Sequence, residues 1–258
     1  MRAALASLRS LVVWLLAWLY MAAAGALCLP WLALTGRMGF PYAAGRLGCR
    51  FLLRLAGVRV VEHGPRPADR AQLYMANHQS NLDPPILLAH LPGYVSFLAK
   101  KELFSLPILG TILRVAGLVP VDRADREGAR ASIARAAEAL RAGRPFLIFP
   151  EGQRSRGGQL LELKKGPFFL AEQAASPVVA LRLEGVGALM PPGAWRIRPG
   201  AVHLYYHPPI LPSEWASAPD PRAALAALIR ARLSGPAGTE PPTDASSNKD
   251  IPGPLTGI

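Results

Sequence analysis

Cysteine is nearly absent. Only Cys28 and Cys49 occur in 258 residues, without CxxC spacing and with the first inside an apolar run, which excludes a disulfide framework and a thiolate zinc site. Acidic residues are also scarce, 17 Asp and Glu against 29 Lys and Arg for a formal net charge of +12, so the expected partner is anionic. Nucleic acid, phospholipid headgroups and phosphorylated small molecules all meet that condition. Nucleotide fingerprints are missing: Gly158 and Gln159 stand where a P-loop needs Lys and Ser or Thr after Gly157, and Gly185 and Gly187 lack the third glycine of a dinucleotide turn. Ser155 has no glycine two residues before it, which removes a hydrolase elbow. No repeat of 20 to 50 residues is present, so a solenoid is not expected. His203 and His207 share a strand face at i, i+4 without a neighbouring acidic or Cys ligand, and no metal site is expected.

Charge is missing altogether from Leu11 to Thr35. That run exceeds the roughly 20 residues a helix needs to cross hydrocarbon, which places it in or on a bilayer. AAAGA imitates a signal-peptidase site, but the run continues through Leu27, Leu29, Trp31, Leu32 and Leu34, longer than a usual signal core, so it is expected to stay as an anchor. Pro30 is a potential break. The next stretch, YAAGRLGCRFLLRLAGV, sets Phe51, Leu52, Leu55 and Val58 beside Arg46, Arg50 and Arg54, the pattern of an interfacial helix. Whether the run spans the bilayer or bends back within one leaflet stays open; if it spans, these arginines with Arg37 predict a catalytic domain on the cytoplasmic face of an inner or plasma membrane. An apolar amino terminus beside the positive charge, with no helix-turn-helix or aromatic stacking motif, favours lipid headgroups over nucleic acid.

After His63-Gly64-Pro65 short apolar runs alternate with helical patterns, as in an α/β protein. Expected strands are 73–76, 95–99, 118–121, 146–149, 178–183 and 202–206, several buried on both faces. Residues 129–142 form an expected crossover helix closed by Gly143, and 221–234 form another. Residues 235–258 are too polar and too rich in Pro and Gly to pack. The organisation is therefore a membrane-anchoring region over 1–60, a catalytic domain over 61–234 and a disordered tail over 235–258.

Three polar segments follow strands, where α/β folds build sites. In Asn77-His78-Gln79-Ser80-Asn81-Leu82-Asp83-Pro84, His78 can take a proton from an attacking alcohol while Asp83 fixes its tautomer. Asp83 before Pro84 also suits a helix start. In Phe149-Pro150-Glu151-Gly152-Gln153-Arg154-Ser155-Arg156-Gly157-Gly158, guanidinium forks and backbone amides can hold phosphate, with Glu151 orienting an arginine or a substrate hydroxyl. Gly117-Leu118-Val119-Pro120-Val121-Asp122-Arg123 ends in an Asp-Arg pair.

In joint order and spacing the three resemble the glycerolipid acyltransferase family that makes phosphatidic acid from lysophosphatidic acid, over roughly residues 70–185. His78 and Asp83 match its histidine, four residues, aspartate signature, and Asn77 its preceding asparagine. Val121-Asp122-Arg123 looks like its glycerol-phosphate block, and Phe149-Pro150-Glu151-Gly152 with Arg154 and Ser155 is similar to its third block. Lys100-Lys101-Glu102-Leu103 also has the family's look. Gln153 replaces the usual Thr and Ala180 a common second proline, departures that bear on acceptor and acyl pocket more than on reaction type.

The resemblance implies a mixed α/β sheet flanked by helices and an O-acyl transfer in which His78 is the base and Asp83 its orienting partner. Arg123 and Arg154 would hold the acceptor phosphate, Glu151 and Gly152 shape its pocket, and Lys100 contact donor or phosphate. The expected donor substrate is acyl-CoA or acyl carrier protein, with no separate cofactor, and the partners are membrane phospholipids and a lysophospholipid acceptor. The alternatives are another acceptor, such as lyso-ornithine lipid, or a catalytically inactive membrane lipid-binding protein.

Overall fold

A computed structural model describes residues 2–115, 117–122 and 126–235. Arg123 and residues 236–258 of the expected tail lie outside the described residues. The chain opens with α1 (Arg2–Thr35), which runs unbroken through Pro30, and after a short turn α2 (Gly39–Leu55) doubles back along it. The hairpin closes because Gly48 offers no side chain: a Cβ there would stand 2.2 Å from the Tyr20 ring. The Tyr20 hydroxyl donates to Ala44 O at 2.6 Å.

The elements that follow are β1 (Val58–His63), β2 (Leu73–Ala76), α3 (Asp83–His90), β3 (Ser96–Lys100), α4 (Pro107–Val115), β4 (Val119–Val121), α5 (Arg126–Arg141), β5 (Phe146–Ile148), α6 (Lys165–Ala174), β6 (Val178–Glu184), α7 (Val186–Leu189), β7 (Gly200–Tyr206) and α8 (Pro221–Ser234). They build a seven-stranded sheet in the order β1-β7-β6-β2-β5-β3-β4. Strands β6, β2, β5, β3 and β4 run parallel, whereas β7 is antiparallel to β6 and pairs in parallel with β1. The sheet is mixed, as expected. The six strands read from the sequence lie within two residues of their expected bounds. The seventh, β1, was not singled out; it crosses the expected domain boundary at 60/61.

Side chains alternate across the sheet, so each strand feeds two cores. Tyr74 and Ala76 face a cluster with Leu53, Ile86 and Leu87 from α2 and α3, and Val13 of α1 joins it. Leu73 and Met75 face the opposite cluster, with Leu140 of α5, Leu170 of α6 and Ile229 of α8. Such two-sided cover explains why β2, β5 and most of β6 read as continuous apolar runs. It also sends the carboxyl ends of β2, β5, β3 and β4 to one edge, where the polar segments lie.

Candidate active site

The loop leaving β2 turns into α3 at Asp83. This carboxylate is fully buried, and its Oδ2 accepts from His78 Nδ1 at 2.7 Å, from the Gln79 amide at 2.6 Å and from the Ser80 amide at 2.8 Å. Three donors converging on one oxygen give the pair a single geometry, with the Nδ1–H tautomer held toward Asp83 and Nε2 left as the basic nitrogen. Phe149 stacks on the imidazole with ring centroids 4.1 Å apart, fixing the ring plane. Asn77 pins the loop from below: its Nδ2 donates to Leu183 O at 2.8 Å and its Oδ1 accepts the Leu183 amide at 2.7 Å.

The loop leaving β5 is stapled to the first. Glu151 accepts the His78 amide through Oε1 at 2.7 Å and the Leu161 amide through Oε2 at 2.9 Å, while the Ser155 amide donates to His78 O at 2.7 Å. Both Glu151 oxygens are thus engaged by backbone rather than by an arginine, and the residue is buried. Gly152 donates its amide to Phe149 O at 3.0 Å and sits at φ +70°, so the turn needs its left-handed freedom.

Burial pushes the Glu151 carboxyl above the usual carboxylate range, against the lowering effect of the Leu161 and His78 amides. A folded-state pKa above the unfolded one makes its contribution to stability greatest below the unfolded pKa, and part of that is lost as pH rises through the folded value. Glu151→Gln offers one oxygen to two amides and orphans one of them, at about 1–3 kcal/mol. The variant is expected to melt below the wild type, with the deficit shrinking as pH rises from 4 to 7, a trend that thermal unfolding across that window checks.

Arg154 leaves the same loop and donates from Nη1 to Asn81 Oδ1 at 2.6 Å. Asn81 was not marked as functional from sequence, because its meaning lies in a partner 73 residues away. Lys100 ends β3 on the same sheet edge; its ammonium stands in solvent 3.3 Å from Glu102. Asp122, at the end of β4, lies 3.6 Å from Lys101, and Arg123 is outside the described residues. Three of the histidines away from the site are paired: His63 Nε2 and His203 Nδ1 are 2.8 Å apart, and His90 pairs with Glu62; the fourth, His207, buries its Nε2 without a hydrogen-bond partner among the described residues. Among the described residues no group of three His, Cys, Asp or Glu side chains is placed to hold a metal ion.

Beside this polar cluster an apolar cavity of about 420 Å³ opens between α1, α2, α3 and α4, lined by Tyr20, Cys28, Cys49, Leu52 and Leu88 among others. Asn81 and Leu82 form part of its wall. Asn81 therefore stands where the cavity meets the arginine.

Comparison with known proteins bears on the same region. The acyltransferase family model matches residues 57–184. A 1-acyl-sn-glycerol-3-phosphate acyltransferase of Chlamydomonas reinhardtii is 36% identical over 174 residues, which is 66% of this chain and 52% of that protein. One from Helicobacter pylori strain J99 is 32% identical over 170 residues, 64% of this chain and 71% of its own. The chain spans about half the length of several of the curated relatives it matches. The crystal structure of the 1-acyl-sn-glycerophosphate (LPA) acyltransferase PlsC from Thermotoga maritima superposes with a TM-score of 0.78 at 28% identity, covering 89% of this chain and 95% of that one.

Proposed function

Because the chain belongs to the 1-acyl-sn-glycerol-3-phosphate acyltransferase family, we propose that it moves a fatty acyl group from acyl-CoA or acyl carrier protein to the free hydroxyl of lysophosphatidic acid, giving phosphatidic acid. The observation that carries this reading is the position of the His78–Asp83 pair between an arginine loop on one side and an apolar cavity on the other. The cavity takes the acyl chain, and Arg154 takes the acceptor phosphate.

In the reaction His78 Nε2 removes the proton of the acceptor hydroxyl as its oxygen attacks the thioester carbonyl. Asp83 stabilises the imidazolium, the tetrahedral intermediate collapses with cleavage of the C–S bond, and the leaving thiolate recovers the proton from His78. Transfer is direct and needs no acyl-enzyme. Because Glu151 and Ser155 bond to the main chain of His78 itself, phosphate and base keep a fixed separation, the condition for a large positioning contribution.

Arg154→Ala removes a charge-assisted contact worth about 1.5–3 kcal/mol. It is expected to raise the KM for lysophosphatidic acid by about 10- to 100-fold with little change in kcat. Asn81→Ala frees the guanidinium and is expected to raise the same KM by a smaller factor. Steady-state kinetics with varied acceptor test this, and an unchanged KM in Arg154→Ala removes that residue from the phosphate site.

The hairpin α1–α2 is the membrane element of this reading. Its outer surface exposes Leu11, Leu15, Trp18, Leu27 and Leu34. Helix α2 has 17 residues, about 25 Å of helix, and carries Arg46, Arg50 and Arg54 at i, i+4 and i+8. That stripe belongs at headgroups rather than in hydrocarbon, so the hairpin enters one leaflet and returns, leaving the catalytic domain on the face from which it enters. A Gly36→Cys variant in sealed vesicles is expected to escape a membrane-impermeant maleimide added on the face opposite the catalytic domain; labelling from that face would mean that the hairpin crosses.

A further inference from the structure

The segment Met190-Pro191-Pro192-Gly193-Ala194-Trp195-Arg196-Ile197-Arg198-Pro199, between α7 and β7, has no part in the reaction above. It is nevertheless firmly built. Ser10 of α1 is fully buried; its hydroxyl accepts the Ile197 amide at 2.9 Å and lies 3.3 Å from Ile197 O. Arg9 donates to Ile197 O at 3.3 Å and Trp14 Nε1 to Trp195 O at 2.8 Å. At its other end Met190 O accepts from Ser80 Oγ at 2.7 Å, two residues from His78. The segment is therefore a strut between the apolar helix and the catalytic loop.

What it presents outward has no use in the interior. Trp195 is 49% exposed, the Arg196 guanidinium lies over its ring with the central carbon 5.5 Å from the centroid, and Arg198 is exposed. These side chains, with Ala6, Pro191 and Ala194, surround a second cavity of about 340 Å³. The exposed apolar stripe of α1, Leu8, Leu11, Leu15 and Trp18, runs beside it. An amphipathic ring flanked by two guanidinium groups at the margin of a lipid-facing helix has the chemistry of the bilayer interface, where indole rings settle among headgroups and arginines take phosphates.

We propose that residues 191–198 form an anionic-phospholipid contact, separate from the acceptor site, in which Trp195 enters the headgroup layer and Arg196 and Arg198 bind a lipid phosphate. Through Ser10 and Ser80 this contact sets the height of His78 above the bilayer. The inference rests on α1 lying in lipid, and one experiment separates the two ideas. Full-length protein in detergent micelles is titrated with brominated phosphatidylglycerol or brominated phosphatidylcholine. The emission lost in Trp195→Phe isolates Trp195, and that lost in Trp18→Phe isolates α1.

Trp18 is expected to be quenched equally by both lipids. Trp195 is expected to be quenched by the anionic lipid at a mole fraction about 25-fold lower, from about fivefold per arginine, and the double variant Arg196→Gln/Arg198→Gln is expected to lose that preference. Quenching of Trp18 with none at Trp195, or equal quenching of Trp195 by both lipids, overturns the contact and leaves the helix reading standing. No quenching of either overturns both.

Discussion

His78→Ala is expected to lower the turnover of acyl transfer by about 10²–10⁴-fold, the usual contribution of a general base, while leaving the fold and lipid association in place. The reason is local. The His78 side chain makes its hydrogen bond to Asp83 and stacks on Phe149, whereas the staples that hold its loop run through its main chain to Glu151 and Ser155. Alanine keeps those. Turnover measured at saturating donor and acceptor, beside a melting curve, separates lost chemistry from lost structure. An alanine variant with full turnover contradicts the mechanism.

Asp83→Asn gives the second large loss, with a different signature. The Oδ2 site must accept from the Gln79 and Ser80 amides as well as from His78, so an asparagine is forced to place its oxygen there; its NH2 in that position would face three donors. The histidine therefore keeps its tautomer, and what disappears is the charge that stabilises the imidazolium. Activity is expected to fall by about 10²–10³-fold, less than the roughly 10⁴-fold seen where an Asp-to-Asn change leaves the histidine in the wrong tautomer. Because the NH2 replaces an oxygen, Oδ1, that is buried without a hydrogen-bond partner among the described residues, a moderate drop in melting temperature accompanies it. Asp83→Ala orphans two buried amides at about 1–3 kcal/mol each and is expected to cost clearly more stability than the asparagine. Equal activity in wild type and Asp83→Asn contradicts a charged partner for His78.

The strands buried on both faces were legible because burial leaves an uninterrupted apolar word such as Leu73-Tyr74-Met75-Ala76 or Val178-Val179-Ala180-Leu181. β1 was not, for a physical reason. Among the described residues it is an edge strand paired only with β7, its polar positions Arg59 and Glu62 face solvent, and it follows an arginine-bearing helix so closely that its first valine reads as part of that helix. Helix α6 was hidden in the same way, since Lys164, Lys165 and Gly166 resemble more of the basic loop. Pro30 signalled a break that α1 does not make.

At the site, the pairing of His78 with Asp83 was legible because a tight loop into a helix brings positions five apart within reach. The partners of Glu151 were not, because a carboxylate beside arginines gives no sign that it is bonded to the backbone amides of His78 and Leu161. Nor was the apolar cavity, whose walls join the amino-terminal hairpin to α3 and α4, more than 25 residues further along the chain. Sequence supplied the chemical groups, and the tertiary fold decided which of them meet.

The central claim, acyl transfer to a phosphate-bearing lysolipid, is tested most directly by supplying the purified protein in lipid with radiolabelled acyl-CoA or acyl carrier protein and offering lysophosphatidic acid and lyso-ornithine lipid in parallel. Labelled phosphatidic acid formed by the wild type and abolished in His78→Ala is the predicted result. Label appearing only in the ornithine lipid would contradict the acceptor, and no labelled lipid from either donor would contradict the activity itself.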